Sequence, residues 1–314
     1  MAIKPPILQK GDTIGIVTLG SPLGADIIND RIETLKYLGF NVVVGQYVYA
    51  DNGFIAGTDE QRASDLMAMF ADDRVKMILP TRGGVGVAGI LPYLDYAVIQ
   101  RHPKILSGYS DVTVLLNVLA QYVNLITFQS LLLINFTRNE PAYNYNQFFT
   151  ATSTLTSPRQ IQNPIGMNQI SRVLGDVTGQ IVGGNLTSFV DLIGTPYEID
   201  TKGKILLLEE TNEPINTVYR YMNALKLAGK LDDCVGIVMG ECTECPVSYG
   251  KTYDDLINDF LVPLGKPLMT HVATAHGTYK AAIPIGAVAN LDTINNALTV
   301  LEPSVSVTSE IELF

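Results

Sequence analysis

Residues 104–128, KILSGYSDVTVLLNVLAQYVNLITF, contain a strand, a serine-bearing turn, a helix and a second strand in direct succession. The apolar runs Lys104–Leu106 and Leu125–Phe128 have the length and composition of buried strands. Between them, Val112–Gln121 is predicted to form a buried helix. A strand–helix–strand unit of this kind is typical of a parallel sheet whose faces are covered by helices.

The same alternation extends in both directions from this segment. Upstream, helical apolar spacing separates three further predicted strands, at Thr13–Val17, Asn41–Val44 and Val75–Leu79. Downstream, strands are predicted at Gly179–Val182, Lys204–Glu209, Val235–Met239 and Ala297–Leu301. The helices predicted among them are Leu186–Ile193, Thr217–Leu227 and Tyr253–Leu261. These elements predict an α/β fold throughout the chain.

A change of composition divides the chain into two domains. From Arg138 to Arg172, Asn, Gln, Thr, Ser and Pro dominate, so we expect a connector with one helix near Asn146–Thr152. The predicted units are an N-terminal domain (1–140) with a parallel sheet, the connector (141–174) and a mixed α/β C-terminal domain (175–314). The cleft between the two domains is the expected place for a functional site.

Composition excludes several classes of protein. Hydrophobic residues make up 47% of the 314 residues and charged residues only 17%, which excludes a disordered chain. With 31 acidic and 21 basic residues the net charge is −10, which argues against nucleic acid as a partner. Three cysteines are too few for a disulfide framework and favour a reducing compartment.

One uncharged stretch, from Val112 to Thr137, is long enough to span a bilayer. It contains five Asn and Gln side chains, each of which would be costly in lipid, so we expect no membrane insertion. No apolar core of signal-peptide length precedes Lys10. We therefore expect a cytoplasmic protein.

The turn Gly108-Tyr-Ser110-Asp111 is the first candidate for catalysis. A serine on a strand-to-helix turn can project its hydroxyl above the sheet, where the helix N-terminus supplies free N–H groups for a developing oxyanion. The alternative is that Ser110 or Asp111 simply caps the helix, and the residues alone favour the cap.

The glycine-rich loop Gly84-Val-Gly86-Val-Ala-Gly89 follows a predicted strand and matches the dinucleotide pattern G-x-G-x-x-G. It would make the chain a nucleotide-binding oxidoreductase, but Pro92 cuts short the helix that should face a pyrophosphate. Two other interpretations remain: a tight turn, or a loop that presents backbone N–H groups to an oxyanion.

Acids and histidines supply the next candidates. The apolar strand Leu206–Leu208 ends in Glu209 and Glu210, which places two carboxylates at the rim of a sheet, although solvated strand ends are common. Of the three histidines, His276 lies among small residues and is the best candidate for a general base. His102 is expected at the surface, and His271 lacks the spacing of a helical metal pair.

The pair Cys242 and Cys245 forms a C-x-x-C motif after the strand Val235–Met239. Without a second ligand pair it is weak evidence for zinc, and without a following helix it is weak evidence for a redox site. We expect no metal at this motif.

Seven short segments together resemble the LD-carboxypeptidase family of serine peptidases, which includes muramoyl-tetrapeptide carboxypeptidases and microcin-resistance peptidases. The resemblance covers the chain from Lys10 to about Leu301, and its order and spacing make it specific. The segments are Ala56-Gly-Thr-Asp-Glu-Gln-Arg62, Arg82-Gly-Gly-Val-Gly86, Gly108-Tyr-Ser-Asp111, Gly183-Gly-Asn-Leu186, Gly194-Thr-Pro196, Ile205-Leu-Leu-Leu-Glu-Glu210 and Ala275-His-Gly277.

The resemblance implies a role for each candidate. Ser110 would be the nucleophile, His276 its base and Glu209, rather than Glu210, the acid behind the histidine. The backbone N–H groups of Gly84 and Asp111 would form the oxyanion hole. The resemblance also implies a homodimer and a two-domain fold with the site in the cleft, and it requires no cofactor and no metal.

The implied substrate is a murein tetrapeptide, cleaved before its terminal D-alanine during peptidoglycan recycling. Val85 replaces an aromatic residue that is common after the paired glycines, and the chain contains no Trp to stack on a nucleobase. This favours murein peptides over the alternative, peptidyl or aminoacyl nucleotides. Arg82 is a candidate for binding the substrate carboxylate. A catalytically inactive binding module is a further alternative.

Overall fold

The computed structural model describes residues 2–307, in which the strands form two sheets. In chain order the strands are β1 (Thr13–Val17), β2 (Asn41–Val44), β3 (Val75–Pro80), β4 (Ile105–Gly108), β5 (Thr127–Gln129), β6 (Arg159–Ile161), β7 (Ile170–Val173), β8 (Asp176–Asn185), β9 (Ile205–Thr211), β10 (Gly236–Thr243), β11 (Leu268–Val272), β12 (Ile283–Ile285), β13 (Val288–Asp292) and β14 (Ala297–Val300). The helices are α1 (Ala25–Tyr37), α2 (Asp59–Ala71), α3 (Tyr96–Arg101), α4 (Thr113–Tyr122), α5 (Ala142–Ser153), α6 (Leu186–Val190), α7 (Ile215–Leu227), α8 (Lys230–Asp233) and α9 (Tyr253–Leu256).

The N-terminal sheet has the strand order β12-β5-β4-β3-β1-β2. Its first five strands in chain order pair in parallel, as the β-α-β pattern predicts. Strand β12, which comes from the far end of the chain, pairs antiparallel with β5. The first sheet is therefore completed by a segment that sequence analysis assigned to the second domain.

The second sheet has the order β6-β14-β13-β8-β9-β10-β11-β7. Its central strands β8, β9, β10 and β11 are parallel, and the strands on both sides of them are antiparallel, so the sheet has mixed strand directions. The expected connector supplies α5 and also the two edge strands β6 and β7, which the sequence did not predict. Of the predicted C-terminal domain, 308–314 lie outside the described residues.

Local sequence accounts for the main elements. Helix α2 begins at a reciprocal capping box in which Gln61 N–H donates to the Thr58 hydroxyl, 3.2 Å, and the Gln61 side chain accepts from Thr58 N–H, 2.9 Å. Helix α4 is buried on almost every side because both sheets cover it. This burial explains its nearly uninterrupted apolar sequence.

Polar side chains inside the uncharged stretch join the two domains. Asn117 donates to Gly183 O, 2.9 Å, and accepts from Gly183 N–H, 2.8 Å. Gln129 donates to the Thr274 hydroxyl, 3.2 Å, which ties β5 to the segment after β11. Among residues 2–307 no helix is both long and apolar enough to cross a bilayer.

Candidate active site

Ser110 lies on the sharp turn between β4 and α4. Its φ of 62° is in the left-handed region, a strained backbone conformation for a residue with a Cβ. A strained strand-to-helix turn is the geometry that raises a serine hydroxyl above the edge of a sheet. The residue is half-buried and packs against Gly83, where an added Cβ would lie 2.9 Å from Ser110 Oγ. Gly83 is therefore required for this serine to occupy its place.

Glu209 and His276 meet at the carboxyl edge of the second sheet. Glu209 lies near the end of β9 and is 1% exposed, and its Oε2 is 2.7 Å from His276 Nδ1. Since an ionised carboxylate can only accept, Nδ1 carries the proton and donates, which leaves Nε2 as the basic nitrogen. The His276 side chain keeps 16% of its surface exposed, so a reacting group can approach the ring.

The histidine also contacts the serine turn. The His276 ring packs edge-on against Tyr109, the residue before Ser110, with 5.1 Å between the ring centroids. In the described part of the chain, no hydrogen bond joins Ser110 to His276. The structure thus brings Glu209 and His276 into direct contact and places the serine turn beside them. Catalytic hydrogen bonds often close only when substrate is bound.

Glu210, the neighbouring acid, is engaged elsewhere. Its carboxylate accepts from the Asn185 amide, from the Thr187 N–H and hydroxyl, and from Thr211 N–H at 2.7–3.1 Å. Adjacent residues of a strand point to opposite faces, so only one of the two acids can reach the histidine. The one that does is Glu209.

Neither Ser110 nor Asp111 caps the helix, because neither side chain accepts a hydrogen bond from a backbone N–H of the first helical turn. The Asp111 carboxylate instead accepts from Val87 N–H, 2.8 Å, and from the Ser188 hydroxyl, 3.2 Å. Burial raises the pKa of Asp111. Asp111 therefore anchors the glycine-rich loop beside the serine turn.

Backbone N–H groups are available beside the serine. Within residues 2–307, the N–H groups of Gly84 and Asp111 carry no hydrogen bond. An added Cβ on Gly83 would lie 3.0 Å from Asp111 N, so the glycine loop and the start of the helix are in contact. Unpaired N–H groups beside a serine are suited to bind an oxyanion.

The glycine-rich loop offers little space to a dinucleotide. Added Cβ atoms on Gly84, Gly86 and Gly89 would overlap Ser21, Ile55 and Asp59 respectively. The protein's own side chains thus occupy the surfaces that a pyrophosphate would need. A short 3-10 helix containing Pro92 follows the loop in place of a dipole-bearing helix. The geometry disfavours the nucleotide interpretation.

Arg82 is a half-buried cation next to the glycine loop. It makes no hydrogen bond or ion pair within the described residues. Its positive charge lies close enough to Tyr109 to favour the ionised form of that phenol, although burial has the larger effect on the pKa of Tyr109. Burial raises the pKa of Tyr109 to about 12, so the phenol stays neutral. Arg82 is therefore free to bind an anionic group of a ligand.

Lys280 belongs to this neighbourhood and was missed by sequence analysis. Its Nζ donates to Gly277 O, 2.5 Å, and lies 5.9 Å from the Tyr109 ring centroid, so it fixes the turn that carries His276. Burial lowers the pKa of Lys280. The sequence signal that could have identified Lys280 is its position, as a single cation four residues after His276.

The other candidates lie outside this cluster. His102 is 3.5 Å from Asp73, and the exposed His271 is 2.9 Å from the Thr270 hydroxyl. Cys242 and Cys245 form a disulfide, a local bridge that the cysteine count did not lead us to expect. Among residues 2–307 no three His, Cys, Asp or Glu side chains group as metal ligands.

A two-domain α/β fold with a strained serine beside a glutamate–histidine pair is suited to a serine peptidase. The similarity of the whole chain to known carboxypeptidases gives the class, a serine carboxypeptidase hydrolase. The profiles of the LD-carboxypeptidase N-terminal and C-terminal domains match residues 14–130 and 178–291. The chain belongs to the LD-carboxypeptidase family. The resemblance stated from the sequence is confirmed, and so is the fold class.

Two relatives, one of them with a solved structure, illustrate the range of the family. The chain is 34% identical to the probable murein peptide carboxypeptidase of Bacillus subtilis, over 96% of this chain and 95% of that protein. It is 27% identical to the microcin C7 self-immunity protein MccF of Escherichia coli, over 95% and 96%. The structure of MccF in complex with glutamyl sulfamoyl guanosine superposes with a TM-score of 0.90 at 23% identity, covering 97% of this chain and 100% of that one.

Proposed function

We propose that this LD-carboxypeptidase hydrolyses the L,D peptide bond before the terminal D-alanine of murein tetrapeptides, with Ser110, His276 and Glu209 as its catalytic triad. The observation that carries the proposal is the 2.7 Å contact between Glu209 and His276 beside the turn that holds Ser110. The murein substrate is supported by the name of the Bacillus subtilis relative and by the lack of any Trp in the chain.

In the proposed mechanism, His276 Nε2 takes the Ser110 proton as Oγ attacks the carbonyl carbon before D-alanine. Glu209 holds the histidine tautomer and stabilises the imidazolium. The N–H groups of Gly84 and Asp111 bind the oxyanion, and the histidine then delivers its proton to the D-alanine amine. Water, activated by the same histidine, releases the peptide from Ser110. No step requires a metal or an organic cofactor.

Arg82 is proposed to bind the terminal carboxylate of D-alanine. Within residues 2–307 it has no hydrogen-bond or ion-pair partner, its charge reaches Tyr109, and a guanidinium binds a carboxylate through two parallel hydrogen bonds. A carboxypeptidase needs such a group because it must recognise the chain end. We also propose that the enzyme works in the cytoplasm as a homodimer, in peptidoglycan recycling.

A second candidate function is cleavage of peptidyl or aminoacyl nucleotides by the same triad. It is favoured by 27% identity to MccF over 95% of the chain. The two functions differ in the residue that carries the attacked carbonyl and in the group that leaves, so substrate preference separates them.

The test compares Ser110→Ala with Ser64→Ala, an exposed serine on α2 that serves as the control. Release of D-alanine from the tetrapeptide Ala–γ-Glu–Lys–D-Ala is measured by chromatography, and glutamyl sulfamoyl adenosine is assayed in parallel. We expect Ser110→Ala to abolish D-alanine release and Ser64→Ala to keep it. Full activity in Ser110→Ala would reject the nucleophile, and turnover of the sulfamoyl compound alone would favour the second candidate.

A further inference from the structure

Arg62 is a buried cation that contacts the glycine-rich loop and takes no part in the proposed mechanism. It lies near the start of α2 and is 1% exposed. Its Nη1 donates to Gly86 O, 2.8 Å, and to Leu19 O just after β1, and its Nη2 donates to the Asp59 carboxylate. One guanidinium therefore links the loop after β3 to the end of β1 and to α2.

The burial of this guanidinium is costly. Its Nε is buried and makes no hydrogen bond within residues 2–307. Burial lowers the pKa of Arg62, and the carboxylates of Asp59 and Asp111 act in the opposite direction. Since apolar side chains often replace a buried ion pair without loss of stability, stability alone is a weak reason for an arginine here. What the side chain holds in place is the better explanation.

Ser21 holds the beginning of the loop. Its N–H donates to Gly83 O, 3.1 Å, and its hydroxyl accepts from Val85 N–H, 3.1 Å. The peptide unit between Gly83 and Gly84 is bonded only at its oxygen, because the Gly84 N–H makes no hydrogen bond within the described part of the chain. The backbone around the proposed oxyanion donor is thus fixed while the donor itself stays available.

Arg62 and Asp111 hold the next peptide unit but one, between Gly86 and Val87. Its oxygen accepts from Arg62, 2.8 Å, and its N–H donates to the Asp111 carboxylate, 2.8 Å. The same oxygen accepts from Gly89 N–H, 3.1 Å, a bond within the loop, so Arg62 ties this oxygen to a different element. Gly86 has a φ of 98°, and a glycine is conformationally free enough to need such ties.

We propose that Arg62 is a positioning residue of the oxyanion hole, which acts by holding the Gly86 carbonyl and so keeps the Gly84 N–H in place. The inference rests on the proposed function, in which the N–H groups of Gly84 and Asp111 bind the oxyanion. Such donors lower the barrier because they are in place before the charge develops. A loop released at Gly86 would lose that advantage without losing the donor itself.

The test measures D-alanine release by Arg62→Lys, with kcat and KM determined separately for the folded fraction. Lysine keeps the charge but has one donor atom, so it cannot bridge Gly86, Leu19 and Asp59 as the planar guanidinium does. We expect kcat to fall roughly tenfold or more with KM within about threefold, because the displaced N–H acts mainly on the transition state. Arg62→Met, which donates nothing, should lose about a hundredfold, as for a missing oxyanion donor.

A second measurement separates positioning from a merely structural role. A small alkyl fluorophosphonate makes no contact with peptide subsites, and Ser110 Oγ displaces its fluoride while a phosphoryl oxygen takes the place of the oxyanion. The rate of this labelling, followed by mass spectrometry, should fall in each Arg62 variant by about the same factor as kcat. Loss of stability alone would lower the folded fraction in urea and leave both rates per folded molecule unchanged.

The matched control is Arg74→Met, which removes the same charge from an exposed position where Arg74 pairs with Asp72 at 2.6 Å, and it should keep both rates. The role of Arg62 is overturned if folded Arg62→Lys keeps both rates within about twofold of wild type, if KM alone changes, if kcat falls without the labelling rate, or if wild-type Ser110 is not labelled. Failure of the proposed substrate is recognised separately, because wild-type enzyme would then release no D-alanine while the labelling rates still decide the role of Arg62.

Discussion

Replacing Glu209 by Gln removes the charge behind His276, the proposed general base, and keeps the size of the side chain. At a separation of 2.7 Å and an effective dielectric constant of about 20, the attraction between the carboxylate and an imidazolium is 332/(20 × 2.7), or about 6 kcal/mol. That energy corresponds to about four powers of ten in rate. The Gln amide oxygen can still accept a hydrogen bond from His276 and so keeps part of this energy. The amide can also turn its NH₂ group towards the ring, which favours the wrong tautomer of His276. We therefore expect kcat to fall by roughly a thousandfold or more.

The assay is steady-state release of D-alanine, with circular dichroism to show that the variant is folded. Glu210→Gln is the matched control, because Glu210 bonds to Asn185, Thr187 and Thr211 rather than to His276. We expect Glu210→Gln to lose stability but to keep kcat within about tenfold. A folded Glu209→Gln variant that keeps a tenth of the activity, or an equal loss of kcat in the two variants, would show that Glu209 does not support His276 in this way.

Three further predictions concern other parts of the chain. Gly83→Ala places a Cβ 2.7 Å from that of Ser110. We therefore expect a folded protein whose kcat falls on the order of a hundredfold, because the serine is displaced. Wild-type activity would show that the loop can move enough to accommodate the methyl group. Burial lowers the pKa of Lys104 from 10.5 to about 8, so between these values the unfolded chain binds more protons than the folded one. Wild-type unfolding free energy in urea should therefore rise from pH 8 to 10.5 relative to Lys104→Met, and identical pH profiles would contradict this. Burial raises the pKa of the Cys234 thiol to about 11, so a disulfide reagent at pH 8 should label no thiol in native protein, one after unfolding and three after unfolding with prior reduction.

The β-α-β core was predictable because its signals are local. The segment from β4 through α4 to β5 carries apolar runs and a glycine-containing turn, and each element forms within a residue or two of its predicted bounds. Strand β12 was missed because Ile283–Ile285 is short and contains a proline, and its pairing with β5 joins residues far apart in sequence. No local pattern specifies such a partner.

The site was predictable in its residue types more than in its arrangement. The sequence shows two acids at the end of one strand, but which of them faces His276 depends on the face that β9 turns to the neighbouring segment. The packing of Tyr109 against the His276 ring is likewise a contact between the two domains, which no local pattern specifies. The disulfide between Cys242 and Cys245 was not foreseen because a count of three cysteines says nothing about local pairing.

The most direct test of the central claim is covalent labelling of the nucleophile by a peptidyl fluorophosphonate that mimics the attacked bond, read out by peptide mass mapping. We predict one phosphonyl adduct, on Ser110, that is absent in Ser110→Ala and forms far more slowly in His276→Ala. An adduct on a different residue, or an undiminished rate in His276→Ala, would contradict it.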